Sequence, residues 1–324
     1  MSTVTLDHHG SPRRAGRLVK LGDEVRSRPC DSTAHQLRAA LDTRLRALLA
    51  HDPGTRVGAD PEELHQMRVA VRRMRAMLKA ARPLLDRAWA DDLRAELGWL
   101  GRVLGPVRDA DVLLERLRGR AAAFDDTSGE AVETLIEALV ADREAARAEM
   151  LAVLNSRRYT ALLRRLATAV SRPLPAPPDP AAAPPLVELV RTEYRRLSKA
   201  VRAAGEDPPD EVLHALRIQG KRLRYTGELV AAAGRKPVRK SVRELVESTV
   251  ALQDVLGEHQ DACVARHRVL LLLGGLGDVV ETRVAFVAGR LVEREEVSRM
   301  ATRQAWPAAW QQVQHRARSL QATA

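Results

Sequence analysis

Two stretches of the chain share one pattern of histidine, arginine and apolar residues, so a large part of the fold is built twice. The first copy is "LHQMRVAVRRMRAMLKA" at residues 64–80, and the second is "LHALRIQGKRLRY" at residues 213–225. Counted from His65 and His214, basic residues recur at +3, +7, +8 and +10, and the apolar positions between them also agree. A repeat of this length indicates a duplicated supersecondary unit.

A second correspondence follows each copy and extends the repeat. The segment "VLGPVRDADV" at 103–112 resembles "VLGEHQDACV" at 255–264, with a glycine four residues before Asp109 and before Asp261. The histidine-to-glycine distance is 40 residues in the first copy and 43 in the second. The sequence therefore predicts two halves of similar structure, with a small difference in length.

Helical periodicity accounts for nearly all of the chain outside its ends, which predicts an all-α fold. A proline-rich stretch, "SRPLPAPPDPAAAPP", separates the two copies and favours an extended spacer. The predicted organisation is a flexible basic leader over 1–32, a first four-helix half over 33–170, a linker over 171–185, a second four-helix half over 186–313 and a tail over 314–324. The fourth helix is expected over about 130–170.

Charge and cysteine content narrow the range of partners and locations. The net charge of +11 and the isoelectric point near 10.5 favour an anionic partner, such as nucleic acid, a phosphate-rich polymer or an acidic membrane surface. Cys30 and Cys263 are the only cysteines and form no CxxC pair, which argues against a disulfide framework or a cysteine zinc site. The N-terminus lacks the apolar segment of a secretory signal, and no apolar run reaches the roughly 18 residues of a membrane span. These features predict a cytoplasmic protein without a membrane partner.

The basic residues of each copy fall on one line of a helix. At about 100° per residue, those of the first copy lie within about 80° of one another, and the apolar residues occupy the opposite face. The first stripe consists of His65, Arg68, Arg72, Arg75 and Lys79. The second stripe consists of His214, Arg217, Lys221 and Arg224. Arg73 and Arg222 lie off these lines, and a third basic stripe contains Arg191, Arg195 and Lys199.

The first stripe contains no aspartate or glutamate, and Glu228 is the one acid on the line of the second. Like charges at helical spacing repel one another unless an anion neutralises them. Guanidinium groups bind phosphate oxygens through two parallel hydrogen bonds, and lysine contributes a point charge. The stripes therefore predict an elongated phosphate-bearing ligand, with a solvated helix face as the alternative.

These two motifs, each present twice and in the same order, resemble the conserved histidine α-helical domain, or CHAD domain. The resemblance covers about residues 35–313. It implies two four-helix bundles related by a pseudo-twofold axis, with the basic stripes converging on a central groove or pore. It also implies binding of inorganic polyphosphate there, without catalysis and without a cofactor, and association with polyphosphate granules. The residues implied to bind are those of the first and second stripes.

Other residues receive secondary roles. Arg73, Arg222, Arg191, Arg195 and Lys199 are weaker candidates for binding. Asp109, Asp111 and Asp261 are expected to start helices or to orient the stripe arginines, and no metal site is predicted.

Two alternatives stay open at this point. A nucleic-acid backbone could occupy a phosphate-binding groove, but aromatic residues are only 3% of the chain, which disfavours base stacking. A metal-dependent phosphohydrolase could use the histidines and the aspartates, but no HxxxH or HExxH spacing occurs. A helical scaffold that docks on granules is compatible with polyphosphate binding.

Overall fold

The computed structural model describes residues 19–28, 31–124, 128–179, 184–233, 236–277 and 279–322. Within these ranges the chain forms helices and connecting segments and no strand, which confirms the all-α prediction. The α-helices of the described part are α1 Thr33–Val57, α2 Pro61–Ala80, α3 Arg87–Ala121, α4 Ser128–Leu154, α5 Arg157–Ser171, α6 Leu186–Ala204, α7 Asp210–Ala233, α8 Lys236–Gly275 and α9 Thr282–Ala322. No helix in these ranges is long and apolar enough to cross a membrane.

The connection between α1 and α2 fixes where the first stripe begins. Gly58 adopts a φ of 72° and its N–H donates to the carbonyl of Gly54, which ends α1 with a left-handed residue. Asp60 then accepts a hydrogen bond from the N–H of Glu62, and Pro61 occupies the first turn of α2. Helix α2 therefore begins at Pro61, directly after its Asp60 cap.

Helix α1 does not end at its internal proline, Pro53, and continues to Val57. Asp52, which is fully buried, accepts hydrogen bonds from Arg56 Nε at 2.6 Å and from the Tyr159 hydroxyl at 2.7 Å. A buried, charge-assisted network of this kind offsets the backbone hydrogen bond that proline removes. The last turn of α1 therefore stays helical.

The single helix predicted over about 130–170 is two helices, α4 and α5. Arg56 donates to the carbonyl of Leu154 at 2.7 Å and to the side chain of Asn155 at 2.6 Å, which satisfies the end of α4. Ser156 then caps α5 by accepting from the N–H of Tyr159 at 3.2 Å. These long-range bonds stop a periodicity that continues unbroken in the sequence.

The chain groups into two compact units, and the groups do not follow the order of the repeats. Unit 1 comprises residues within 1–108, 146–189 and 232–234, and unit 2 comprises those within 109–145, 190–231 and 235–324. Residues 109–145 thus belong with the later part of the chain. The division at 171–185 and the pseudo-twofold arrangement around a central groove stay predictions.

Each unit has its own packed helices. In unit 1, α1 packs along α2 and α5, and in unit 2, α8 packs along α9. The core of unit 2 joins the end of α3 and the start of α4 to α8 and α9. Its fully buried members include Leu117, Ile136, Val269, Val287 and Leu291.

Parts of the predicted leader and tail are ordered against helices. In residues 19–28, the N–H of Val25 donates to Asp42 at 2.9 Å, and Arg46 donates to the carbonyl of Gly22 at 2.7 Å. These bonds hold that segment on α1. Residues 1–18, 29 and Cys30 lie outside the described ranges, and the flexible leader over 1–32 stays a prediction. At the other end, α9 continues past 313 to Ala322 because Leu320 is buried.

Candidate anion-binding site

Helix α2 has the two faces that its sequence predicts. Its apolar face is buried, with Leu64, Met67, Val71, Met74 and Leu78 each between 0% and 4% exposed. On the stripe, His65, Arg68 and Arg72 are half-buried, while Arg75 and Lys79 are exposed. Burial of the apolar face anchors the helix, so the stripe side chains are positioned by a rigid element.

The outer end of the first stripe lies against a glycine-lined face of α3. A Cβ atom built on Gly98 would be 3.4 Å from both Nε and Nη2 of Arg75, and one on Gly101 would be 3.9 Å from its Nη1. The two glycines therefore leave the space in which the Arg75 guanidinium lies along the helix. A larger residue at position 98 would displace it.

Helix α3 also brings cations to this surface that the sequence analysis did not assign. Although Arg75 as a whole is exposed, its pKa is lowered, chiefly by the loss of solvent where the guanidinium lies against α3 and then by the charges of Arg94 and Arg102. The pKa of His65 is lowered by burial first, and next by Arg108. Of these cations, Arg94 forms an ion pair, with its Nη1 3.5 Å from Oδ1 of Asp91. Cations thus crowd the surface formed by the first stripe and α3.

The sequence carries a signal for this face of α3. Arg94, Gly98, Gly101, Gly105 and Arg108 recur at spacings of four and three residues, which places them on one side of a helix. Glycine at helical spacing in an otherwise strong helix-forming segment indicates a close approach by another group.

The second stripe, on α7, follows the same plan in unit 2. Leu213, Leu216 and Leu223 are buried, and a Cβ on Gly257 of α8 would be 3.9 Å from Arg217 Nε. That Nε atom is buried and makes no hydrogen bond within the described part of the chain. Gly257 is the glycine of the second motif, so in this half the motif glycine faces the stripe.

Polar partners restrain the rest of the second stripe. His214 lies with Nδ1 2.5 Å from Oε1 of Gln260, and Arg224 donates from Nε to Glu228 at 2.8 Å. Arg224 also donates to Gln253 at 3.4 Å. Gln253 and Gln260 are on α8, so this helix supplies neutral groups to the second stripe.

The weaker candidates divide into structural and exposed side chains. Arg191 donates to the carbonyl of Leu320 at 3.1 Å, which ties α6 to the end of α9. Arg195 and Lys199 are exposed, with Arg195 donating to Thr192 at 3.1 Å. Arg73 and Arg222 are half-buried beside the stripes.

The three aspartates have different surroundings. Asp111 accepts from Arg143 Nε of α4 at 2.6 Å rather than from a stripe arginine. Asp261 is half-buried, and burial raises its pKa while the charges of Arg217, Arg116 and Lys221 oppose that change. Asp109 is exposed. The orienting role predicted for Asp261 toward the second stripe stays a prediction.

One group in unit 2 brings histidine, cysteine and carboxylate together. Within the described residues, donor atoms of Asp210, His259 and Cys263 lie within 4.8 Å of one another. Asp210 already accepts from Arg299 at 3.0 Å and from Arg303 at 2.5 Å, and burial raises the pKa of the Cys263 thiol to about 12. The carboxylate is therefore compensated by guanidinium groups, and the cluster joins the start of α7 to α8 and α9.

A substitution at Gly98 tests the contact between Arg75 and α3. We expect Gly98→Leu to weaken binding of a phosphate polymer roughly tenfold, because the new side chain displaces a charged hydrogen-bond donor. Gly119→Leu on the same helix is the control, since nothing lies within 4 Å of a Cβ there. Calorimetric titration compares the two variants, and equal affinities would show that the position of Arg75 is irrelevant.

Comparisons with known proteins place these features in a family. The CHAD-domain family model matches residues 39–270. The structure is similar to PptA from Streptomyces chartreusis, with a TM-score of 0.66, 25% sequence identity, and coverage of 86% of this chain and 98% of that one. It is also similar to the CHAD domain from the plant Ricinus communis, with a TM-score of 0.64, 27% identity, and coverage of 90% and 95%.

A curated relative in Mycobacterium tuberculosis, an uncharacterized protein, is 31% identical over 246 residues. The match covers 73% of this chain and 45% of the relative, so less than half of the curated protein is matched by this chain. The repeated motifs, the helical fold and the family match agree, and the chain belongs to the CHAD-domain family.

Proposed function

We propose that this protein binds inorganic polyphosphate through its basic stripes and does not hydrolyse it. The observation that carries the proposal is the row of cationic side chains on α2 opposite its buried apolar face, with the Arg75 guanidinium against Gly98 and Gly101 of α3. The family to which the chain belongs is linked to polyphosphate binding. A cytoplasmic location and recruitment to polyphosphate granules follow as further proposals.

Electrostatics favour a long polyanion over a single phosphate. The stripe from His65 to Lys79 extends over about 21 Å at 1.5 Å per residue, so its cations are spread along a line. A polymer with a negative charge on each repeating unit contacts several of them together and releases the ions condensed around it. The repulsion among the arginines is then replaced by attraction to one ligand.

The residue types support binding rather than hydrolysis. Arginine is protonated throughout the physiological pH range, so it holds phosphate oxygens but cannot accept a proton from an attacking water. A surface dominated by arginine is therefore suited to retention of the polymer. The alternative, a metal-dependent phosphohydrolase, would release phosphate in the presence of Mg²⁺ or Mn²⁺.

Calorimetry with three ligands tests the proposal. Long-chain polyphosphate, tripolyphosphate and duplex DNA are titrated at equal phosphate concentration and equal ionic strength. We expect the long polymer to bind most tightly, with an affinity that falls steeply as salt rises. Equal or tighter binding of DNA would contradict the proposal and indicate a nucleic-acid ligand. Release of phosphate from the polymer with Mg²⁺ or Mn²⁺ would show that the protein is an enzyme.

Proton uptake provides a separate test at His65. Its pKa is lowered in the free protein by burial and by neighbouring arginines, and a bound polyanion raises it again. Binding is therefore expected to tighten as the pH falls through roughly 6.5, the ordinary value for histidine. The stability of the free protein should change in the opposite direction. Because the pKa of His65 is lowered by folding, the folded state becomes less stable as the pH falls below the ordinary histidine value.

The measurement is a titration at pH 7.5 and pH 5.5, paired with thermal melts of the free protein. His65→Gln should reduce both pH dependences. A pH dependence of binding that is unchanged in this variant would show that His65 does not take up a proton on binding.

A further inference from the structure

The two stripes differ in charge at the position that follows their last shared arginine. Lys79 lies four residues after Arg75, and Glu228 lies four residues after Arg224, so the two positions correspond in the repeat. In the second half the carboxylate of Glu228 accepts from Arg224 Nε at 2.8 Å, with both side chains half-buried. The first half therefore has a cation, Lys79, at the position where the second half has a carboxylate, Glu228, that is paired with a stripe arginine.

A second pair of corresponding positions differs in the same sense. Arg108 and Gln260 each lie three residues after the motif glycine of their half. Arg108 is close enough to His65 to lower its pKa, whereas Gln260 presents Oε1 to Nδ1 of His214 at 2.5 Å. The first half therefore places a cation beside its histidine, and the second half places a neutral amide there.

A third pair affects how the arginine is held. Gly101 and Gln253 each lie four residues before the motif glycine. Gly101 has no side chain, so the Arg75 guanidinium can lie along α3. Gln253, at the corresponding position, accepts a hydrogen bond from Arg224. Arg224 is thus bonded to two side chains of its own unit, one acidic and one neutral.

We propose that the two stripes bind phosphate unequally, with the first as the stronger site, and that Glu228 is the residue that weakens the second. The inference rests on the proposed function. Lysine against glutamate and arginine against glutamine make a difference of three units of charge between corresponding positions. Phosphate must compete with Glu228 for the Nε–H of Arg224, and a ligand in contact with Arg75 meets no carboxylate at the corresponding position, which is Lys79.

Chain length then determines which stripes are occupied. A short phosphate chain gains few contacts, so displacement of Glu228 takes a large share of its binding free energy, and it binds at the first stripe. A long chain makes many contacts and tolerates that loss. Glu228 thereby acts as a specificity-determining residue that disfavours short chains in the second half.

The test copies the first half into the second. Glu228→Lys with Gln260→Arg is expected to add a second tripolyphosphate site and to tighten its binding there roughly tenfold, because two cations replace a competing carboxylate and an amide. Glu293→Lys, at an exposed acid on α9, is the control for the charge reversal at position 228, which changes the net charge by the same two units. Glu228→Gln keeps the shape of the side chain and should give a smaller gain in the same direction.

The outcomes separate the inference from the proposed function. If the unmodified protein binds no polyphosphate, the proposed function fails. If it binds polyphosphate but both Glu228 variants match Glu293→Lys in tripolyphosphate affinity and stoichiometry, the inequality of the stripes is overturned. A gain in the Glu228 variants alone supports it, with circular dichroism melts to establish that each variant is folded.

Discussion

We expect the double substitution Arg68→Glu and Arg72→Glu to reduce polyphosphate affinity by at least about 100-fold, because two charge-assisted contacts become two repulsions. Both side chains are on the stripe of α2, opposite a face that is buried in the core of unit 1. The melting temperature should therefore change little. Calorimetric titration measures the affinity, and circular dichroism measures the melt.

A matched control separates local contacts from net charge. Arg157 and Arg164 are exposed on α5, seven residues apart, and lie in the same unit as the first stripe. Arg157→Glu with Arg164→Glu changes the net charge by the same amount and should weaken binding only slightly. If both double variants lose affinity equally, the attraction is general and the first stripe is not a site.

The substitution Asp52→Ala is expected to cost about 3–5 kcal/mol of unfolding free energy, the usual result of removing one partner of a buried ion pair. Asp52 is 0% exposed and the Arg56 side chain is 5% exposed, so the guanidinium would be left buried without its carboxylate. The Tyr159 hydroxyl would lose its acceptor as well. Chemical denaturation measures the loss.

An exposed ion pair is the comparison for that experiment. Glu133 binds Arg118 through two hydrogen bonds, but the two side chains are 57% and 47% exposed. Glu133→Ala should cost less than about 1 kcal/mol, since solvent screens the pair. A loss for Asp52→Ala as small as that for Glu133→Ala would mean that the buried network does not hold the end of α1.

The two faces of α2 could be predicted from the sequence because both are set by neighbours within one helix. The buried positions from Leu64 to Leu78 and the cap at Asp60 follow from periodicity and from local hydrogen bonding. The all-α class follows in the same way. The repeat also made the second stripe visible, since the same pattern recurs 149 residues later.

Features that depend on distant residues could not be predicted. The break between α4 and α5 depends on Arg56, which is 98 residues from Leu154. The spacing of Arg94, Gly98 and Arg108 marks one face of α3, but that this face packs against the first stripe depends on the packing of two helices and could not be predicted. The ion pair of Arg224 with Glu228 has the spacing of a common helix-stabilising pair, so its effect on binding emerges only from comparison with Lys79.

The grouping of residues 109–145 with the later part of the chain bears on how such a protein could have arisen. In unit 2, Leu117 and Ile136 share a core with Val269 and Val287, so a fragment ending at the proline-rich segment would carry these side chains without their partners. A single ancestral repeat would face the same exposure. If two identical copies exchanged the segment corresponding to residues 109–145, each copy would cover the apolar side chains of the other. Gene fusion would then place both copies in one chain, so the exchange would become intramolecular.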